Sequence, residues 1–171
     1  MLTNKIAIVT GGSRGLGRNT ALSIARQGGD VILTYQSRAE CALEVVAEIT
    51  ALGRKAVALQ LDTGKVADFA AFADSPRNVL RDTWQRNSFD YLVNNAGHGD
   101  YALIEQTTEA QFDGLVNVHF KGVYFLTQTL LPLIADNGKI VNLSSGLTRV
   151  SYPGYSAYAA VKAAIECLSI Y

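Results

Sequence analysis

Five short runs rich in β-branched and apolar residues, near 5–10, 30–35, 55–61, 89–94 and 139–144, alternate with longer helix-like stretches near 15–27, 38–52, 65–86, 108–134 and 155–171. No other feature constrains the fold as tightly. Strand runs separated by helices pair in parallel through right-handed crossovers, and repetition of that unit builds a doubly wound α/β sheet with helices on both faces. The ligand crevice of such a sheet lies at the carboxyl ends of the strands, where their order reverses. With 49% hydrophobic and 18% charged residues and a formal net charge of +0, the 171-residue chain fits one compact domain and gives no electrostatic support for a nucleic-acid partner. There is no internal repeat and no Pro/Ser-rich linker.

The first strand run, Lys5 to Thr10, feeds into Gly11-Gly-Ser-Arg-Gly15-Leu-Gly17 and then an amphipathic stretch to Gln27. Strand, glycine turn and helix in that order suit a pyrophosphate. Glycines admit positive φ and close approach of a phosphate to peptide N–H groups, and the helix start adds partial positive charge. The spacing is Gly-x-x-x-Gly-x-Gly; the Gly-x-Gly-x-x-Gly form fails, because Thr20 stands where its last glycine belongs.

Near the other end, Tyr158 and Lys162 lie four residues apart, and Ser145 precedes Tyr158 by thirteen. On a helix, i and i+4 share a face, so an ammonium stands beside a phenol that otherwise titrates near pH ~10. A proton donor, a cation able to tune it and a hydroxyl able to hold a carbonyl form a general-acid set. Ser144 competes with Ser145, but neighbouring strand residues face opposite ways. Tyr152 and Tyr155 have Ser156 and Ala159 at i+4 and so lack a lysine partner; Tyr155 is expected on the substrate side.

Together these motifs resemble the short-chain dehydrogenase/reductase family, in particular its 3-oxoacyl carrier-protein reductases, along the whole chain. Thr10-Gly-Gly-Ser-Arg-Gly-Leu-Gly17 is similar to the family's cofactor loop, Asn94-Asn-Ala-Gly97 to its signature after the fourth strand, and Ser145, Tyr158 and Lys162 to its catalytic core. The resemblance implies a Rossmann-type sheet of order 3-2-1-4-5. It implies a fourth catalytic residue at Asn117, ordering a water in the proton path, and an adenine-contacting acid at Asp62. The catalytic set it implies is Asn117, Ser145, Tyr158 and Lys162. The cofactor set is Gly11, Ser13, Arg14, Gly15, Leu16, Gly17, Tyr35, Ser37, Arg38, Asp62, Asn94, Ala96 and Gly97, with Tyr158 and Lys162. In the family mechanism, nicotinamide exchanges hydride with a carbonyl or secondary alcohol, Tyr158 moves the proton, Ser145 orients the oxygen, and Lys162 lowers the tyrosine pKa and holds the ribose.

Cofactor choice is read at the end of the second strand. A carboxylate there would bind both ribose hydroxyls and repel a 2′-phosphate, but Val31-Ile-Leu-Thr-Tyr35-Gln-Ser37-Arg38 has none, while Arg14 and Arg38 suit a phosphate. NADP(H) is therefore expected over NAD(H), and no metal.

Among the remaining residues, Pro76 predicts a kink or two shorter helices within 65–86. Phe112, Leu115, Val116, His119, Val123, Leu126 and Leu130 predict a sheet-facing stripe, with His119 a core or interface residue, and His98 a loop residue near the site. Cys41 and Cys167 read as isolated, reduced packing residues. No apolar run is long enough to span a bilayer, and a cytoplasmic protein is expected. The family commonly pairs helices across a twofold axis, so a homodimer or homotetramer is expected, with Phe120 and Tyr124 at its interface.

The last helix ends at Ile170-Tyr171 without a glycine cap or proline. Family members continue through two more strands, a Pro-Gly segment and a lobe over the substrate, so the reading favours an incomplete Rossmann-type domain, a fragment of a longer enzyme. The alternative is a truncated, non-catalytic dinucleotide-binding or interaction module. Substrate identity is open; a small or acyl-chain carbonyl is expected.

Overall fold

The computed structural model describes residues 1–171. Its five strands are β1 (Ile6–Val9), β2 (Asp30–Tyr35), β3 (Ala56–Gln60), β4 (Phe89–Asn94) and β5 (Ile134–Asn142), all parallel, in the order β3-β2-β1-β4-β5. This is the order expected. The reversal falls between β1 and β4, so the carboxyl ends of those two strands open onto the crevice.

Strand alternation sorts the core into two layers. Val31 and Leu33 of β2 pack with Ala21 and Leu22 of α1 (Gly15–Arg26) and Val45 and Ile49 of α2 (Ala39–Ala51). Ile6, Ile8 and Ile32 face the opposite side. There they meet Phe69 of α3 (Phe69–Phe72), Leu80 of α4 (Asp74–Trp84) and Leu126 and Leu130 of α6 (Gly122–Leu130). The 65–86 stretch is indeed broken, as Pro76 required, into a 3-10 turn, α3 and α4, with Pro76 in the first turn of α4, where it costs no interior hydrogen bond.

Two buried aspartates pin the amino ends of the strands, far from the crevice. Asp30 accepts hydrogen bonds from Arg54 Nε (2.9 Å), the Lys55 N–H (3.0 Å) and Trp84 Nε1 (2.8 Å). Asp90 accepts from Lys5 Nζ (2.9 Å), the Ile6 N–H (2.9 Å) and Arg86 Nη1 (3.0 Å). Burial works to raise the Asp90 pKa, but these donors hold it below the usual carboxylate range.

The single long helix expected over 108–134 is instead α5 (Glu109–Val116), a π-helical turn over Asn117–Lys121, α6, and a 3-10 turn over Leu131–Leu133. Thr108 and Gln111 close a capping box at its start. The π turn inserts an extra residue per turn and changes the phase of the buried stripe. Leu115, His119, Leu126 and Leu130 are buried, whereas Phe112, assigned to that stripe, is 44% exposed. Phe120 and Tyr124 are exposed as well. β5 begins at Ile134, five residues before the expected start, because Asn137 takes up a left-handed conformation (φ 63°) that lets the chain pair through an irregularity opposite Phe89–Tyr91. The last helix, α7, spans Ser156–Leu168 and buries Val161, Lys162 and Ile165. Cys167 is exposed and so is not a packing residue. No helix is long and apolar enough to cross a membrane.

Candidate active site

At the carboxyl ends of β1, β2 and β4 lies a cavity of about 770 Å³ whose walls include Gly11, Arg14, Arg38, Asp62, Tyr158 and Lys162. The loop from Gly11 enters α1 at Gly15, and both glycines have positive φ, 64° and 56°. Gly17 is required for a different reason. A Cβ there would run into the Gly11 carbonyl oxygen and Asn95 Nδ2, whereas one at Gly15 would meet nothing within 4 Å. Gly17→Ala is therefore expected to destabilise the fold by about 1–3 kcal/mol through overpacking, because the loop must open. Gly15→Ala is expected to cost only the left-handed strain, about 1–2 kcal/mol. Melting curves of the two variants check both values.

Thr10 and Asn95 fasten this loop to the end of β4. Thr10 Oγ1 accepts from the Asn95 and Ala96 N–H groups (2.9 and 3.0 Å), and Asn95 Nδ2 donates to the Thr10 carbonyl (2.8 Å). Of the residues assigned to the cofactor, Gly11, Ser13, Arg14, Gly15, Leu16, Gly17, Tyr35, Ser37, Arg38, Asp62, Ala96, Gly97, Tyr158 and Lys162 all line the cavity. Asn94 does not. It is buried, with Nδ2 donating to Thr127 Oγ1 (3.1 Å) and Asn142 Oδ1 (2.8 Å), so it ties β4 to β5 and α6, while its neighbour Asn95 faces the cavity. Asn94 is the last residue of β4, whereas Asn95 lies just past it, with its N–H turned back to the Val93 carbonyl at 3.1 Å. Asp62 accepts from the Gly64 N–H (2.9 Å) and stands 3.7 Å from Lys65 Nζ.

Arg14 and Arg38 are exposed at the rim. The arginine ion pairs of the fold run through Arg18, Arg54, Arg77, Arg81 and Arg86, leaving these two guanidinium groups free for an anion. An open glycine cradle with two free arginines beside the end of β2 fits a dinucleotide bearing an extra phosphate.

At the opposite end, Tyr158 and Lys162 project from α7. Lys162 is 6% exposed and its ammonium donates to the Leu143 carbonyl at 2.7 Å. It stands 5.6 Å from the centre of the Tyr158 ring. Burial pushes the lysine pKa down. Burial pushes the Tyr158 phenol up, with the Ser145 hydroxyl opposing. The expectation that Lys162 draws the phenol down is not met in this arrangement, because the ammonium is directed at a backbone carbonyl and desolvation dominates.

The two serines behave differently. Ser144 borders the cavity, but its hydroxyl donates to Glu166 Oε1 at 2.6 Å. Ser145 does not border the cavity; its Oγ caps a 3-10 turn over Gly146–Thr148 by accepting from the Leu147 N–H at 3.3 Å and bears on Tyr158. Asn117, placed in the catalytic set by resemblance, opens the π turn and does not line the cavity. Val118 and His119 line it instead. The His119 ring lies edge-on to Tyr158, with centroids 5.2 Å apart and planes at 83°. Sequence periodicity pointed to His119 as buried but gave no sign that its burial is against the site. His98, exposed on the loop after β4, also lines the cavity. Tyr101, Tyr152 and Tyr155 extend the aromatic wall away from Tyr158, with Tyr155 and Tyr158 centroids 6.4 Å apart.

Residues 5–170 match the family model for short chain dehydrogenase. The chain is 37% identical over 166 residues to the short-chain dehydrogenase/reductase FrzI of a Cladobotryum species, covering 96% of this chain and 62% of the relative. It is 34% identical to the hydroxynaphthalene reductase arp2 of Aspergillus fumigatus, covering 96% of this chain and 58% of the relative. It thus spans about three fifths of the length of these curated relatives. Among solved structures, landomycin C-6 ketoreductase LanV with bound NADP and rabelomycin superposes with a TM-score of 0.94 at 35% identity, covering 98% of this chain and 68% of that one. A Burkholderia cenocepacia short chain dehydrogenase in complex with NADP gives 0.88 at 38% identity, covering 98% and 66%. With the sheet order, the glycine cradle and the Tyr158–Lys162 pair in agreement, the chain belongs to the short-chain dehydrogenase family.

Proposed function

We propose that this chain carries the NADP(H) site and the proton-transfer residues of a carbonyl reductase. One observation carries the reading: the glycine cradle, two free arginines, Tyr158 and Lys162 all line a single cavity. The chemistry a bound nicotinamide cofactor supplies there is hydride. Everything else falls to side chains of the chain itself.

Arg14 and Arg38 hold the 2′-phosphate, and the loop N–H groups of Gly11 to Gly17 receive the pyrophosphate. Lys162 orients the ribose and Asp62 the adenine. Tyr158 donates its phenolic proton to the carbonyl oxygen, and Ser145 acts through Tyr158, on whose phenol its hydroxyl bears. Burial keeps the phenol above its ordinary pKa, so Tyr158 carries the proton at neutral pH that a general acid in carbonyl reduction must supply. The tyrosines next to Tyr158 support a flat, ring-bearing ketone, consistent with the hydroxynaphthalene named for the Aspergillus relative and the rabelomycin bound in the ketoreductase structure. Exposed Phe120 and Tyr124 support self-association.

NADPH and NADH oxidation against aromatic cyclic ketones and 3-oxoacyl thioesters tests the reading. Turnover with NADPH on the ring ketones is expected. Cofactor binding without turnover on either class would instead favour a non-catalytic dinucleotide-binding module. Arg38→Asp is expected to reduce the preference for NADPH over NADH by roughly 10- to 100-fold, the worth of one charge-assisted phosphate contact. Dissociation constants for the two cofactors give that ratio directly, and an unchanged ratio would remove Arg38 from the phosphate site.

A further inference from the structure

Glu166 lies on α7 eight residues after Tyr158 and four after Lys162, so the three side chains share one stripe of the helix. It does not line the cavity. Its Oε1 instead gathers both ends of the turn that carries Ser145: the Ser144 hydroxyl donates to it at 2.6 Å, and the Thr148 hydroxyl stands 2.9 Å away. Thr148 Oγ1 is also 2.9 Å from the Ser145 carbonyl oxygen, but a hydroxyl has one proton, and that carbonyl already accepts from the Thr148 N–H at 3.2 Å. The carboxylate is the stronger acceptor, so the proton goes to Glu166. The Ser144 and Thr148 hydroxyls hold the Glu166 carboxyl below the usual carboxylate range, and the Arg149 cation adds a smaller attraction.

Ser145 sits between the two anchored residues. Its Oγ accepts from the Leu147 N–H at 3.3 Å, which leaves its own proton to donate, and this hydroxyl works to lower the Tyr158 pKa, the effect of a donor to the phenolate. On the other side of Ser144, Lys162 Nζ donates to the Leu143 carbonyl at 2.7 Å. The helix that carries Tyr158 thus grips the segment on both sides of Ser145, at Leu143 through Lys162 and at Ser144 and Thr148 through Glu166. Without the carboxylate, the bond at Leu143 would anchor the segment to α7 on one side of Ser145 only. Hydrogen bonds weaken steeply as they lengthen and bend, so a turn loose on its far side loses the phenol first. We propose that Glu166 is a positioning residue: by clamping Ser144 and Thr148 to α7, it sets the Ser145 hydroxyl against the Tyr158 phenol. Ser144, the rival of Ser145 in the sequence, is then its anchor. The inference rests on the reading of Tyr158 as the proton donor, with Ser145 acting through it.

A double-mutant cycle separates positioning from plain packing. Glu166→Ala is expected to lower kcat by about tenfold, the worth of one hydrogen bond to a charged group, with KM for the ketone and Kd for NADPH nearly unchanged. In a Ser145→Ala background the same substitution should lower kcat no further, because the hydroxyl it positions is gone. Glu166→Gln keeps an acceptor for both hydroxyls and should restore most of the rate. Wild-type kcat in Glu166→Ala, or an equal loss in both backgrounds, would overturn the proposal. Where Glu166→Ala does not fold, Ser144→Ala combined with Thr148→Val removes the same two hydrogen bonds and is read by the same cycle. A ¹³C titration of the Glu166 carboxyl reads the clamp without turnover: a pKa below the ordinary range that rises in Ser144→Ala supports it, and an ordinary pKa that does not respond sinks it. A chain with the first titration but no turnover would fault the proposed function and leave the clamp standing.

Discussion

Tyr158→Phe is expected to slow carbonyl reduction by about 10²- to 10⁴-fold, the range a positioned general acid supplies, and to leave NADPH binding nearly unchanged. The substitution removes only the hydroxyl. The ring that packs edge-on against His119 at 5.2 Å stays, so a lost rate cannot be attributed to collapse of the wall. Tyr155→Phe is the matched control: Tyr155 sits one turn earlier on the same side, 6.4 Å from Tyr158, with Ala159 rather than a lysine at i+4. Pre-steady-state NADPH oxidation should show the loss in the first variant and not in the second. A Tyr158→Phe variant with wild-type rates would end the assignment of Tyr158 as the acid.

Stability is expected to fall as pH drops from about 6.5 to about 4, and His119 is the cause. Burial, with the Lys162 cation second and the His98 carbonyl opposing, lowers its pKa from 6.5 to about 4. The folded ring is therefore neutral where the unfolded chain's histidine is already protonated. Across that interval the unfolded state binds more protons, so stability rises with pH, is fully present above 6.5 and is lost as pH falls toward 4. The amount is about 3 kcal/mol at the acid end. Asp90 has a pKa below the usual carboxylate value and contributes its own loss only at lower pH. Urea denaturation at a series of pH values, repeated with His119→Phe, checks this. The variant should have a flat profile in that interval, and an equally steep one would place the titrating group elsewhere.

Much of the fold could be read in the residues because one physical rule acts along each segment. The run Phe89 to Asn94 is a strand with the limits expected, and the break at Ala73, ahead of Pro76, follows from a proline that has no N–H to bond back to the preceding turn. The glycine loop was legible for the same reason, since positive φ at Gly11 and Gly15 restricts residue choice. What stayed hidden depends on neighbours distant in the chain. Asn94 and Asn95 are chemically identical, and only the end of β4 between them decides which one faces the cavity. The early start of β5 rests on Asn137 adopting a conformation that few non-glycine residues tolerate. The upward direction of the Tyr158 shift stays hidden as well, because spacing places Lys162 beside the phenol but does not reveal that its ammonium turns to the Leu143 carbonyl.

The π turn at Asn117–Lys121 separates what the helix does for the core from what it does for the cavity. On one side Leu115 keeps the phase of α5, and on the other Leu126 and Leu130 keep the phase of α6, each buried independently. His119 alone occupies the offset between them. Removing one residue from that turn would restore regular winding and swing the histidine around the axis, with both packed flanks able to stay in place. The composition of this corner is thus set by a count of residues as much as by their kinds, and relatives that share every neighbouring side chain can still present a different one to the tyrosine through a single-residue insertion or deletion.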